Sequence, residues 1–191
     1  MRLVLIGPPG AGKGTQAERL SAALRVPHIS TGELFRDHIG RRTPVGLDAK
    51  RHLAAGELVS DEVTVDMVRM RLEQPDAQDG FILDGFPRTV PQADGLALLL
   101  DEAGQKLDAV VEFTAPEAVL VDRLLARGRP DDTEDVIRNR QQVYRRDTAP
   151  LLAYYADLLV SVPAVGSTEQ IAEEVLDRLQ RAPRSEHRPG T

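Results

Sequence analysis

The chain of 191 residues contains no cysteine. Disulfides, thiolate catalysis and cysteine-ligated zinc are therefore excluded. The histidines do not replace the missing ligands, because they show neither i,i+4 pairing nor the nearby carboxylates that a metal site requires. The four histidines are His28, His38, His52 and His187. No structural zinc or other directly bound metal is expected from this composition.

Long apolar segments are also absent. No run approaches the ~20 residues of a membrane-spanning helix, so no membrane partner is expected. The apolar residues at 2–6 run directly into a Gly/Pro turn, without the core or cleavage site of a signal peptide. The sequence therefore predicts a cytoplasmic protein, and its length fits one domain.

Lysine is scarce and arginine is clustered. Only three of the 24 basic residues are Lys, and seven Arg fall between positions 123 and 146. The net charge of −6 argues against a nucleic-acid partner. An Arg cluster in an acidic protein suggests a bound polyanion, because the guanidinium fork fits phosphate. The alternative is a solvated helix face, on which these side chains pair with nearby acids. Those acids are Asp131, Asp132, Glu134, Asp135 and Asp147.

Apolar runs bounded by turns alternate with segments of helical period. The predicted strands are 2–6, 26–29, 80–83, 108–113 and 158–162. The predicted helices are 13–25, 61–73, 89–103, 116–127, 133–147 and 167–181. Because apolar strands without polar alternation require cover on both faces, we expect an α/β fold, a doubly wound parallel sheet flanked by helices.

Two stretches interrupt this alternation. Residues 30–59 hold two short helical pieces, split at Thr43-Pro44, and are predicted to form a small helical insertion. Residues 126–132 include Gly-Arg-Pro-Asp-Asp and predict a short loop between two helices. A single domain is expected to span 1–181, and the Pro-containing segment 182–191 is expected to be a disordered tail.

A glycine-rich turn follows the first predicted strand and opens the first helix. The glycines let backbone N–H groups surround a phosphate, the helix N-terminus adds partial positive charge, and Lys13 supplies a cation. The residues of this predicted phosphate cradle are Gly10, Ala11, Gly12, Lys13, Gly14 and Thr15. The motif differs from the strict G-x-x-x-x-G-K-[ST] pattern, because Gly14 separates Lys13 from the hydroxyl of Thr15.

The run Gly12 to Gln16 resembles the nucleoside monophosphate kinases, and further motifs follow in the order seen in adenylate kinases with a short lid. This resemblance covers residues 2 to about 181. It implies a P-loop nucleoside triphosphate hydrolase type of fold. The implied reaction is Mg²⁺-dependent transfer of the γ-phosphoryl group of ATP to AMP, giving two ADP and serving adenine nucleotide homeostasis.

The resemblance also implies an acceptor site for AMP. Thr31 is expected near the base, Arg36 and Arg88 at the phosphate, and Gln92 at the adenine edge. The full expected set is Thr31, Arg36, Glu57, Leu58, Val59, Gly85, Phe86, Pro87, Arg88, Gln92, Arg129 and Arg140. For Glu57 to Val59 the expectation concerns backbone groups. From the residues alone, Ser30 and Glu33 also fit a capping box.

Asp84 ends a predicted buried strand, where open α/β sheets bind ligands. We expect its carboxylate to hold Mg²⁺ indirectly, through water, since Mg²⁺ often keeps several waters. The alternative is that Asp84 caps the next helix. Thr89, which precedes Pro91 by two residues, is better placed for that role.

The remaining catalytic charges are expected from the Arg cluster. Arg123 and Arg127 lie four residues apart and share a helix face, whereas Arg138 and Arg140 cannot share one. Family resemblance selects Arg140 and leaves Arg138 on the surface. The expected catalytic set is Lys13, Arg88, Arg123, Arg127, Arg129 and Arg140. ATP is expected to contact the cradle together with Arg127 and Gly166.

Three alternatives are considered at this stage. A CMP or UMP kinase would share the cradle and the Arg set, although Thr31 and Gln92 favour AMP. A GTPase switch would require an N-K-x-D run, which the sequence lacks, and a binding module without catalysis would not need converging arginines.

The expected partners are ATP, AMP and ADP, and a monomer is expected because no exposed apolar stripe is evident.

Overall fold

The computed structural model describes residues 1–129 and 132–181. The predicted tail at 182–191 and positions 130 and 131 of the predicted loop lie outside this range. Five parallel strands form one sheet in the order β2-β3-β1-β4-β5. Their bounds are β1 Arg2–Ile6, β2 His28–Ser30, β3 Phe81–Asp84, β4 Ala109–Thr114 and β5 Leu159–Pro163. The predicted parallel α/β fold is confirmed.

Helices connect the strands and cover both faces of the sheet. In the described part of the chain they are α1 Lys13–Leu24, α2 Thr31–Gly40, α3 Pro44–Ala55, α4 Asp61–Leu72, α5 Val90–Glu102, α6 Glu117–Arg127, α7 Glu134–Val143, α8 Leu151–Tyr154 and α9 Thr168–Arg181. Short 3₁₀ turns lie at Pro75–Ala77 and Ala156–Leu158. Among the described residues, no helix is both long enough and apolar enough to pass through a lipid bilayer.

Most predicted bounds lie within one residue of the observed ones, and two elements differ by more. The helix predicted over 133–147 is α-helical only as far as Val143 and continues as a π-helical segment, Tyr144–Thr148. The strand predicted at 26–29 lies at 28–30. Arg25 ends α1 with a φ of 56°. Pro27 accepts from the N–H of Ile82 at 2.9 Å but has no N–H to donate, so β2 begins at His28.

The central strand β1 contributes to both halves of the core. Leu3 and Leu5 pack into a cluster with residues of α1 and α9, whereas Val4 and Ile6 pack into a second cluster with α4 and α5. Successive side chains of a strand point to opposite faces, so one short apolar strand holds both helical layers. This packing fixes the position of the carboxyl end of β1, where the phosphate motif begins.

The predicted insertion forms a helical hairpin of α2 and α3. A small separate cluster holds it together, with Phe35 from α2, Ala49 from α3 and Met67 from α4. The predicted capping box is wrong, because Ser30 precedes α2 but makes no side-chain capping bond. Ser30 is the last residue of β2 and lines a cavity at the carboxyl ends of the strands. Thr43 does cap α3, accepting from the N–H of Gly46 at 3.1 Å.

Candidate active site

A cavity of about 590 Å³ opens beside the carboxyl ends of β1 and β3. Its wall includes the turn after β1, the start of α1, the turn after β3, parts of the α2–α3 insertion, and residues of α6 and α7. Ligands of open α/β sheets bind at this edge, where connections leave the strands in opposite directions. The strand order therefore places the predicted motifs around one space.

The turn between β1 and α1 has the geometry of a phosphate cradle. Gly12 precedes Lys13, the first residue of α1, with a φ of 86°, and no side chain caps the helix. Gly10 approaches α6 so closely that a Cβ there would lie 2.4 Å from the carbonyl oxygen of Leu120. The first N–H groups of α1 therefore remain available to an anion at a helix N-terminus.

Lys13 lies within this turn. Its Nζ donates to the carbonyl oxygens of Gly7, at 2.6 Å, and Pro8, at 3.2 Å. Burial lowers the pKa of Lys13 to about 8, and the Arg88 and Arg127 cations act in the same direction against the Asp84 carboxylate. The ammonium is thus held in a position where added negative charge would stabilise it.

Asp84 ends β3 beside the same turn, with Oδ2 3.5 Å from Nε2 of His28. Burial alone raises the pKa of Asp84, but His28 and Lys13 outweigh burial and hold the pKa below its ordinary value. Burial lowers the pKa of His28, yet Asp84 outweighs it and the net pKa is raised. Thr89 caps α5 by accepting from the N–H of Gln92 at 3.2 Å, so Asp84 is not the cap.

Cations outnumber carboxylates around the cavity, although the chain as a whole is acidic. The lining includes seven Lys and Arg side chains and four Asp and Glu side chains. The seven cations are Lys13, Arg36, Arg88, Arg123, Arg127, Arg129 and Arg140. Burial lowers the pKa of Arg88, as do the neighbouring Arg140 and Arg36 cations. This concentration of positive charge favours a polyanionic ligand over the solvated-surface alternative.

Asp132 is a site residue that the sequence analysis treated only as a surface acid. Its carboxylate accepts from Arg127, at 2.9 Å from Nε and 2.6 Å from Nη2, and from Nη1 of Arg140 at 3.1 Å. The N–H of Arg129 donates to the same carboxylate at 3.1 Å. Asp132 thus joins the end of α6 to α7. The surface alternative does hold for Arg138, which is exposed and pairs with Glu134 at 2.5 Å.

A smaller cavity adjoins the large one on the side of the insertion. The two cavities share Gly85 and Arg88, among other residues. Of the residues expected at AMP, the following line at least one cavity: Thr31, Arg36, Glu57, Leu58, Val59, Gly85, Pro87, Arg88, Gln92, Arg129 and Arg140. Phe86 lines neither cavity and is buried in the core. The residues expected at ATP, Gly166 included, line the large cavity.

Two glutamines each donate a hydrogen bond that connects the cradle, or the helix α1 that follows it, to a distant helix. Nε2 of Gln141 in α7 donates to the carbonyl oxygen of Pro9 at 3.0 Å. Nε2 of Gln16 in α1 donates to the carbonyl oxygen of Thr168 at 3.1 Å. Gln16 belongs to the motif from which the resemblance was drawn, whereas no local pattern marks Gln141. The first bond joins the turn to α7 and the second joins α1 to α9, each across more than a hundred residues.

Comparison with known proteins identifies the family. A sequence model of the family described as Adenylate kinase matches residues 5–159. The chain belongs to the adenylate kinase family. This range extends from β1 to β5 and contains both cavities apart from a few residues near Gly166. The resemblance stated from the motifs is therefore confirmed.

Curated relatives match nearly the whole of this chain. A protein named Adenylate kinase from Nocardia farcinica (strain IFM 10152) is 56% identical over 181 residues, which cover 95% of this chain and 100% of the relative. Proteins of the same name from Corynebacterium aurimucosum and Mycolicibacterium smegmatis are 57% and 56% identical over 179 residues, covering 94% of this chain and 99% of each relative. These matches give no support to the CMP or UMP kinase alternative, and they favour an enzyme over a GTPase switch.

Proposed function

We propose that this member of the adenylate kinase family is an ATP:AMP phosphotransferase that reversibly moves the γ-phosphoryl group of ATP onto AMP, giving two ADP. The observation that carries the proposal is the position of Arg88. Its side chain lines both cavities, the large one with the phosphate cradle and the small one beside the insertion. A cation shared by the cradle cavity and the smaller cavity beside the insertion is suited to a phosphoryl group that passes between them.

Phosphoryl transfer requires little covalent chemistry from the protein. It requires two nucleotides in line and positive charge around the oxygens of the transferring group. Lys13 and the arginines at 88, 123, 127, 129 and 140 supply that charge from four separate segments of the chain. No general base is needed in this mechanism. The arginines act by binding and orienting phosphate oxygens, and their guanidinium forks allow two parallel hydrogen bonds each.

The proposed donor site lies at the cradle. ATP phosphates contact the N–H groups of Gly10 to Thr15 and the Lys13 ammonium, with Arg127 and Gly166 nearby. The acceptor site lies on the insertion side. There Arg36 and Arg88 bind the AMP phosphate, and Thr31, the backbone of Glu57 to Val59 and Gln92 surround the base.

Mg²⁺ is the proposed cofactor, entering with ATP. The donor set fits it: the Asp84 carboxylate ends β3 inside the cavity with a lowered pKa, and Thr15 lines the same cavity. Among the described residues, no group of three or more His, Cys, Asp and Glu could hold a metal by itself. Indirect binding is proposed because Mg²⁺ usually keeps several waters and uses few protein ligands. When bound, Mg²⁺ neutralises charge on the phosphates.

Water is the competing acceptor at such a site. The α2–α3 insertion and residues 126–129, the described start of the short loop, both supply residues to the lining of the cavity. We propose that both move over the nucleotides before transfer, which excludes water and completes the set of cations.

The working form of the enzyme is proposed to be a cytoplasmic monomer that acts on ATP, AMP and ADP and not on nucleic acid. The charge of −6 supports the last point. The largest exposed apolar side chains, such as Leu47, Met70, Leu98 and Leu125, belong to four different helices. Sedimentation equilibrium at micromolar concentration tests this proposal, and the mass of a single chain is expected.

The function is tested by a coupled assay with ATP, Mg²⁺ and one acceptor at a time. AMP is expected to give ADP fast, with CMP, UMP, GMP and water far slower. Arg88→Ala is expected to lower kcat with AMP by about 10³ or more, the range of comparable arginine contacts. Arg138→Ala is the matched control, since Arg138 is exposed and pairs with Glu134 on the surface of α7. Fast turnover of CMP or UMP, or an active Arg88→Ala, would contradict the proposal.

A further inference from the structure

Gln92 lines the small cavity with its side chain almost fully buried. It lies in the first turn of α5, and only 1% of the residue is exposed. An amide in this position presents a donor and an acceptor side by side to anything that enters the cavity. Which of the two stands on which side is decided by the groups behind it.

Two hydrogen bonds decide the orientation of this amide. The backbone N–H of Arg88 donates to Oε1 of Gln92 at 2.8 Å. Nε2 of Gln92 donates to Oδ1 of Asp61 at 2.8 Å. A backbone N–H can only donate and a carboxylate can only accept. Rotating the amide by half a turn would set donor against donor and acceptor against acceptor, in a buried place where unmade hydrogen bonds are costly.

Asp61 is held in position by Thr89. The Thr89 hydroxyl donates to the same Oδ1 at 2.9 Å, while its oxygen accepts from the N–H of Gln92. Asp61 is the first residue of α4, and Thr89 caps α5, so the three side chains join two helices that pack side by side. After these bonds the Gln92 amide retains one N–H and one lone pair.

We propose that Asp61 is a specificity-determining positioning residue that locks the Gln92 amide in the orientation for 6-aminopurines. The inference rests on the proposed function, with the AMP base at the small cavity. The 6-amino group of adenine donates and N1 accepts, which matches Oε1 and Nε2 in the locked orientation. A 6-oxopurine presents the reverse pattern, with an accepting O6 and a donating N1–H. It would need the rotated amide that Asp61 and the Arg88 N–H forbid.

Inosine monophosphate is the sharpest probe, because it differs from AMP only at this edge of the base. We expect Asp61→Ala to reduce the ratio of kcat/KM for AMP to kcat/KM for inosine monophosphate by about tenfold or more, the equivalent of one hydrogen bond. KM for AMP should rise, while KM for ATP stays within about twofold, the scatter of a distant substitution.

Glu62→Ala is the matched control. Glu62 is the next residue in the first turn of α4, is exposed, and carries the same charge at the same helix terminus. Glu62→Ala removes a negative charge from the N-terminus of α4, where it stabilises the helix dipole, but leaves the hydrogen bonds of Gln92 in place. The AMP preference of Glu62→Ala should equal that of wild type.

Asp61→Asn separates the hydrogen-bond acceptor from the negative charge. Both bonds from Gln92 and Thr89 end on the single oxygen Oδ1, and an asparagine offers the same oxygen. This variant should retain more than half of the wild-type AMP preference. If Asp61 acted only through its charge or through helix stability, Asp61→Asn and Asp61→Ala would lower the AMP preference equally.

The outcomes are distinct. Unchanged AMP preference in a folded Asp61→Ala, with only a lower thermal midpoint, overturns the inference. If Asp61→Ala does not fold, Asp61→Ser keeps a polar helix start but cannot reach Gln92, and its preference is judged by the same criterion. Failure of wild type to use AMP would instead refute the proposed function, so the two failures are told apart in the wild-type assay.

Discussion

Among single residues, Lys13 shows how burial sets the charge state of a binding group. In the free protein its ammonium is satisfied by two carbonyl oxygens, but burial lowers its pKa to about 8. The Arg88 and Arg127 cations contribute to the lowering, and only Asp84 opposes it. Lys13 therefore begins to lose its proton just above neutral pH until phosphate oxygens arrive to favour the charged form.

This predicts a pH dependence that differs between binding and turnover. The value of kcat/KM for ATP reports the free enzyme and should fall as pH rises above about 8. The value of kcat reports the nucleotide complex and should persist to higher pH. Lys13→Arg, whose charge does not titrate, should be slower but should lack this fall. A fall that is the same in both proteins would assign the titration to another group.

Asp132 illustrates a different effect at the same scale. Its carboxylate, 1% exposed, occupies two arginines that the proposed mechanism assigns to phosphate. In the proposed mechanism, phosphate oxygens must exchange with this carboxylate or approach the guanidinium groups from another direction. The structure thus shows that cations of the site are paired before nucleotide binds, which reduces their mutual repulsion.

Among the elements, the α2–α3 hairpin depends on one close backbone contact. A Cβ on Gly46 would lie 2.2 Å from the carbonyl oxygen of His38. Backbone atoms cannot move aside as a flexible side chain can, so a larger residue would push the two helices apart. The hairpin carries Arg36 and Leu53, which line the cavities.

Gly46→Ala is therefore predicted to destabilise the protein by about 1–3 kcal/mol, the usual penalty of overpacking. KM for AMP should rise several-fold, and KM for ATP should change less, because the cradle lies outside the hairpin. Gly40→Ala is the control. A Cβ there meets nothing within 4 Å, and alanine is favoured over glycine in a helix, so its free energy of unfolding should be equal or higher. Equal stability of the two variants would refute the close-contact argument.

The helices predicted from the spacing of apolar residues are confirmed where that spacing is regular, as in α9. The π-helical segment at Tyr144–Thr148 was not predicted, since hydrophobic spacing does not distinguish an i+5 bond from an i+4 bond. The side-chain hydroxyl of Thr148, the last residue of this segment, donates to the carbonyl oxygen of Arg88 at 2.8 Å. A contact over sixty residues has no local signature.

The whole molecule is predicted to become more compact when both nucleotides bind. A site that transfers phosphate to AMP rather than to water must exclude solvent, and in the proposed mechanism the insertion and the loop after α6 move over it. With a non-hydrolysable ATP analogue and AMP, the radius of gyration from X-ray scattering should fall. The thermal midpoint should rise in step, since each ligand at a hundred times its Kd adds about 2.7 kcal/mol. A raised midpoint at constant radius would contradict closure.

The sequence by itself determined the parallel sheet and the glycine-rich turn after β1, because apolar runs and the spacing of glycines around Lys13 are local patterns. The family resemblance, rather than a local pattern, predicted further residues that line the cavities, among them Thr31, Arg88 and Gln92. Only the tertiary structure decided which side chains support them. Asp61 meets Gln92, His28 meets Asp84, and Asp132 joins Arg127 to Arg140. Such pairs arise because the strand order β2-β3-β1-β4-β5 and the packing of the helices bring distant segments together. The spacing of hydrophobic residues in the sequence carries no information on which polar side chains will then face each other.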